Sequence, residues 1–118
     1  MKITRKHLRK LILESMLNFP IDYMNDLNQS FKTSIEPAKD NYRILRLTKI
    51  FPDGCQVVIE SIFLDVREPG VFNLYLAEIA TLGPDGEISD ECYRKGYAND
   101  ALTEFLSISD RYMIEIDL

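Results

Sequence analysis

Residues 42–66 read Tyr-Arg-Ile-Leu-Arg-Leu-Thr-Lys-Ile-Phe-Pro-Asp-Gly-Cys-Gln-Val-Val-Ile-Glu-Ser-Ile-Phe-Leu-Asp-Val. Two runs of strand-forming residues flank Pro52-Asp53-Gly54. Proline presets φ at the turn and glycine supplies a positive φ, so the stretch predicts strands at 42–50 and 55–66 joined by a tight reversal. The second run is apolar enough to be buried in part on both faces. Glu68-Pro69-Gly70 turns the chain again, residues 71–82 form a third strand, and Gly83-Pro84-Asp85-Gly86 ends it. Three sequential strands with short connections make an antiparallel meander.

Helical periodicity lies on both sides of this meander. Thr4 is placed to cap a helix over 5–18, with Leu8, Leu11, Ile12, Ser15 and Phe19 on one face. Pro20 stops it. Asp22 is expected to cap a second helix over 23–33, with Met24, Leu27 and Phe31 on its buried side, and residues 34–41 read as a connector. Beyond the meander, Ala98, Ala101, Leu102, Phe105 and Leu106 form a helical stripe over 96–109. Tyr112, Ile114, Ile116 and Leu118 then alternate with Met113, Glu115 and Asp117, the pattern of a half-buried strand. The expected order is α-α-β-β-β-α-β, a two-layer α+β domain spanning residues 1–118.

Charge is distributed unevenly along the chain. The net charge is −5, yet Lys2, Arg5, Lys6, Arg9 and Lys10 fall in the first ten residues with no acid among them, so the remainder carries −10. Positive charge in the first turns of the 5–18 helix opposes the helix dipole, which marks Arg5, Lys6, Arg9 and Lys10 as candidates for partner contact. Five charges with no interleaved aromatic make nucleic acid the weaker reading of that stretch. Asp85, Glu87, Asp90 and Glu91 form an acidic loop at the other pole. Their spacing fails the calcium-loop pattern, so they read as a solvated or protein-facing surface.

Neither export nor membrane insertion is signalled. No apolar run approaches the ~20 residues of a membrane span, and Leu11-Ile12-Leu13 is broken at once by Glu14, so a cytoplasmic location is expected. Cys55 and Cys92 are accordingly expected to stay reduced, and with His7 as the single histidine neither a metal site nor a nucleophilic pair emerges. No catalytic set is legible.

One motif has sharper chemistry. Tyr93-Arg94-Lys95-Gly96-Tyr97-Ala98-Asn99-Asp100-Ala101-Leu102 places a glycine directly before a helix, where backbone N–H groups can receive a phosphate. It resembles the pyrophosphate loop of the GNAT-type N-acetyltransferase superfamily, Arg/Gln-x-x-Gly-x-Gly/Ala followed by an amphipathic helix. The resemblance implies a truncated or degenerate acetyl-coenzyme-A-binding domain, with Lys95, Gly96, Tyr97 and Ala98 at the cofactor. Separately, Met1-Lys2-Ile3-Thr4, Leu8-Arg9, Ile12 and Glu14 are similar to the N-terminal helices of small tailed-bacteriophage proteins, which implies a phage-encoded chain. Set against the missing catalytic set, the paired charges favour a non-enzymatic protein that binds a protein partner as an inhibitor or accessory factor.

Overall fold

The computed structural model describes residues 20–64 and 73–118. The expected 5–18 helix and the basic quartet Arg5, Lys6, Arg9 and Lys10 therefore lie outside the described residues. The chain folds as a mixed α+β structure. Its helices are α1 (Ile21–Ser30), α2 (Asp90–Tyr93) and α3 (Tyr97–Arg111). Its strands are β1 (Lys32–Pro37), β2 (Tyr42–Ile50), β3 (Gln56–Leu64), β4 (Asn73–Leu82) and β5 (Glu115–Asp117). The sheet order is β1-β2-β3-β4-β5, antiparallel throughout except that β5 runs parallel to β4.

The α-α-β-β-β-α-β order needs correction at four places within the described residues, one of them the single turn α2, which lies where an acidic loop was expected. Of the other three, the first concerns α1. Pro20, not Asp22, occupies its N-cap, where the missing proline N–H costs nothing. Asp22 sits in the first turn and complements the dipole instead. The helix stops at Ser30 because Phe31 turns extended, at φ −133° and ψ 156°.

The second correction follows directly. Residues 32–37, read as the end of a helix and a connector, pair in register with β2 from Lys32↔Thr48 to Pro37↔Arg43. An edge strand can be polar along most of its length, so its only apolar side chain, Ile35, gave little periodic signal. Pro37 closes it at a position that an edge strand tolerates.

The third correction is at the end of the chain. Helix α3 runs to Arg111 and closes through Tyr112 and Met113, the latter at φ 55°. The N–H groups of Met113 and Ile114 donate back to Asp110 and Ser109 at 3.0 Å each. This left-handed closure uses the residues that alternation had assigned to a strand, leaving β5 only Glu115–Asp117.

Helices α1 and α3 cover one face of the sheet. Leu45 and Leu47 of β2, Val57, Ile59 and Phe63 of β3, and Leu74 of β4 pack with Tyr23, Leu27, Phe31, Ala101, Phe105, Ile108 and Ile114. The strict alternation in β3 puts Val57, Ile59, Ser61 and Phe63 inward and leaves Val58, Glu60 and Ile62 half-buried on the other face. On that outer face Arg46 bridges Glu36 of β1 at 2.6 Å and Glu60 of β3 at 3.1 Å.

A polar pair is sealed between the two helices. Tyr23 Oη lies 2.6 Å from Ser109 Oγ, whose own proton goes to the Phe105 carbonyl at 2.8 Å. Burial pushes the Tyr23 phenol up to about 12, so it stays a donor. Tyr112 donates to Asp26 at 2.5 Å beside it and fixes the end of α3 to α1. Among the described residues, no helix is long and apolar enough to cross a membrane.

Candidate functional site, a disulfide-pinned acidic loop

The turn between β2 and β3 is built by Asp53 and Gly54. Gly54 has φ 91°, and a Cβ there would meet Pro84 Cγ at 2.8 Å. Glycine thus serves both the turn and the close approach of the loop that follows β4. That loop folds back at once. Gly83 N donates to Glu87 O at 2.8 Å, Asp85 Oδ1 accepts from Glu87 N at 3.1 Å, and Ile88 bridges to Leu82. Ser89 then caps the single turn of α2, its Oγ accepting from Cys92 N at 3.1 Å.

This fold-back sets Cys92 over the start of β3. Cys55 and Cys92 lie 5.7 Å apart at Cα and form a disulfide, although 37 positions separate them in sequence. The expectation of two reduced thiols is corrected. Spacing along the chain held no sign of the bridge, because it depends on β4 returning its end to the start of β3, where Gln56 pairs Leu82. In this state neither cysteine is available as a thiolate nucleophile or metal ligand.

Asp53 is the hub of the surrounding contacts. Its Oδ2 accepts from Lys95 Nζ at 2.8 Å and from Tyr97 Oη at 2.8 Å, and its Oδ1 accepts from Cys55 N at 3.1 Å. The Tyr97 ring stacks on Phe51 with centroids 3.9 Å apart and planes 6° from parallel. The Lys95 ammonium first, then the Tyr97 hydroxyl and the Cys55 N–H, hold the Asp53 carboxyl at about 2, below the ordinary 3.8. Asp53 in turn raises both Lys95 and Tyr97 above their ordinary values.

The signs define a pH window. A depressed carboxyl stabilises the fold above its unfolded value, and that contribution is lost as pH falls from 3.8 through about 2. The raised groups contribute below their ordinary values of 10.5 and 10.0 and lose that contribution as pH rises through their folded values. Removing the ammonium with Lys95→Met should therefore move the Asp53 midpoint, followed by carboxyl NMR, upward from about 2 toward 3.8. A midpoint that stays in place would show that Lys95 does not engage Asp53 in solution.

The loop presents a distinctive surface. Asp85, Glu87, Asp90 and Glu91 are all exposed. Among them stand two large apolar side chains, Ile88 at 81% and Tyr93 at 65% exposure. The sequence expectation named the four acids as contacts, gave Ile88 no role, placed Tyr93 in the phosphate-loop motif and Asp53 in a turn, and took both cysteines as reduced thiols. The even cysteine count was the one available signal of the bridge.

At the phosphate-loop motif, Gly96 takes the left-handed conformation at φ 78° and α3 begins at Tyr97. The N–H groups of Lys95 and Gly96 donate to the carbonyls of Cys92 and Tyr93 at 3.2 Å each. Two of the four amides assigned to a cofactor are thus already engaged, and the Lys95 ammonium is held by Asp53. Among the described residues no cluster of three His, Cys, Asp or Glu side chains is arranged for a metal ion. No protein-family model matches the chain, no curated protein matches it, and no solved structure matches its fold.

Proposed function

We propose that this chain is a non-enzymatic binding protein whose loop, residues 83–96, docks on a basic protein surface, as an inhibitor or accessory factor would. One observation carries the reading: Ile88 and Tyr93 stand exposed in the same short segment as the exposed carboxylates of Asp85, Glu87, Asp90 and Glu91. Large apolar side chains bury readily against a partner, and surrounding charges steer the approach and select its sign. The bridge to Cys55 pre-orders the loop, which lowers the entropy cost of docking. The basic residues Arg5, Lys6, Arg9 and Lys10 would add a second contact of opposite sign.

The test is a titration with a synthetic arginine-rich peptide carrying leucine and tryptophan, followed by amide NMR. Shift changes should centre on residues 85–93 and weaken steeply with salt. Ile88→Ser and Tyr93→Ser should each cost about 1–2 kcal/mol of binding. Shift changes elsewhere, or undiminished binding by a variant with Asp85, Glu87, Asp90 and Glu91 amidated, would remove the support for this reading.

The alternative is acetyl-coenzyme A binding at Lys95, Gly96, Tyr97 and Ala98. It is favoured by left-handed Gly96 opening a 15-residue helix. Calorimetry separates the two readings: heat that vanishes in Gly96→Asp supports the cofactor, and no heat at millimolar ligand rejects it.

A further inference from the structure

We propose that the Cys55–Cys92 bridge is a redox gate on the acidic loop: closed, it holds the docking surface in one shape, and opened by a small thiol it releases that surface while the sheet stays folded. The inference rests on the loop being the docking surface and adds its regulation.

The distribution of burial carries it. From Pro84 to Gly96 the only buried residue is Cys92, at 4% exposure; Ser89 is half-buried and every other residue is exposed. A segment with one buried side chain has no apolar core to hold it in place. Its other ties are modest. Ser89 N donates to Thr81 O at 3.2 Å, Gly83 N donates to Glu87 O at 2.8 Å, Ile88 bridges to Leu82, Pro84 lies close to Gly54, and the exposed Lys95–Asp53 pair contributes little in water. Helix α2 is a single turn, too short to persist without support. Cys55, by contrast, is 2% exposed directly before the central strand β3, and its carbonyl accepts from Phe51 N at 2.9 Å across the turn from β2. The bridge therefore joins a self-sufficient sheet to a loop that depends on it.

The chemistry balances with a small-molecule thiol as the reductant. Its thiolate attacks one sulfur, the S–S bond breaks, and the other cysteine leaves as a thiolate. A second thiol then resolves the mixed disulfide. Two external thiols become one external disulfide, and the protein gains two electrons and two protons as a pair of thiols. Lys95 Nζ lies 3.9 Å from Cys55 Sγ, so Cys55 is the better leaving thiolate and Cys92, on the loop that opens, is the sulfur attacked. Oxidising surroundings keep the gate closed, and the thiol pool of a cytosol opens it.

The experiment uses the full chain, oxidised, reduced with dithiothreitol, and as Cys55→Ser/Cys92→Ser. Trypsin cleavage after Arg94 and Lys95 is read by mass spectrometry, and hydrogen exchange at Leu47 and Ile59 monitors the sheet. Reduction should speed cleavage at these two sites about tenfold or more, while the Leu47 and Ile59 amides still exchange slowly, their protection lowered only by the stability the bridge adds to the whole fold. Equal cleavage rates overturn the gate, and so does exchange at Leu47 and Ile59 at the rate of an unfolded chain, since the sheet would then not outlast the bridge. Binding of the arginine-rich peptide separates the two layers of the proposal. If the oxidised chain ignores the peptide while reduction still frees Arg94 and Lys95, the docking reading fails and the gate stands. If the peptide binds both states equally while the loop opens, the docking reading stands and regulation by the bridge is overturned.

Discussion

Replacing both Cys55 and Cys92 by serine is expected to lower the free energy of unfolding by about 4 kcal/mol. The bridge closes a covalent loop between residues 37 positions apart. In the chain-entropy account, the constraint that such a loop imposes on the unfolded ensemble has about this magnitude at 25 °C. The expected loss is a large share of the 5–15 kcal/mol typical of a domain, yet it leaves the folded form in the majority. Urea denaturation should show a lower midpoint. It should also show a steeper slope, since the unfolded chain expands once the cross-link is gone. A loss below about 1 kcal/mol would mean that the unfolded chain gains little freedom from opening the bridge, contrary to the entropic account.

A comparable effect is expected at the centre of the helix-facing layer. Phe105 is fully buried and packs in one cluster with Tyr23, Leu27 and the inward residues of β2 and β3. Phe105→Ala should cost about 3–5 kcal/mol, combining lost transfer energy with the cavity left behind. The cavity would open beside the Tyr23–Ser109 hydrogen bond, whose serine proton is anchored on the Phe105 carbonyl. Phe105→Leu keeps most of the volume and should cost about 1–1.5 kcal/mol. Urea curves for the two variants give the comparison. Similar losses for alanine and leucine would show that ring shape, not filled volume, sets the cost.

Much of the architecture is legible in residues that obey one period. The run 42–64 shows its strands because β2 and β3 lie inside the sheet and carry β-branched and aromatic residues at about half of their positions. The α3 stripe is legible through Ala101 and Phe105, both fully buried. What escaped reading has local causes. Edge strand β1 has one covered side and little apolar content. The close of α3 at Met113 depends on a left-handed residue that is not glycine, so no turn signal marks it. Within the candidate site, the four acids announced themselves by charge. Their apolar companions Ile88 and Tyr93 did not, because exposure is a property of the folded loop. Asp53 looked like an ordinary turn residue, and only the approach of Lys95 and Tyr97, more than forty positions downstream, makes it a hub.

The parallel pairing of β5 with β4 sets an order of assembly. Strands β1 to β4 each pair with the next in sequence, so their contacts close over short chain separations and can form early. Strand β5 meets β4 only at Asn73, Leu74 and Tyr75, after the whole of α3 has carried the chain back across the sheet. Its docking completes a long loop for three residues of pairing, which makes it the last strand to join during folding and the first to leave.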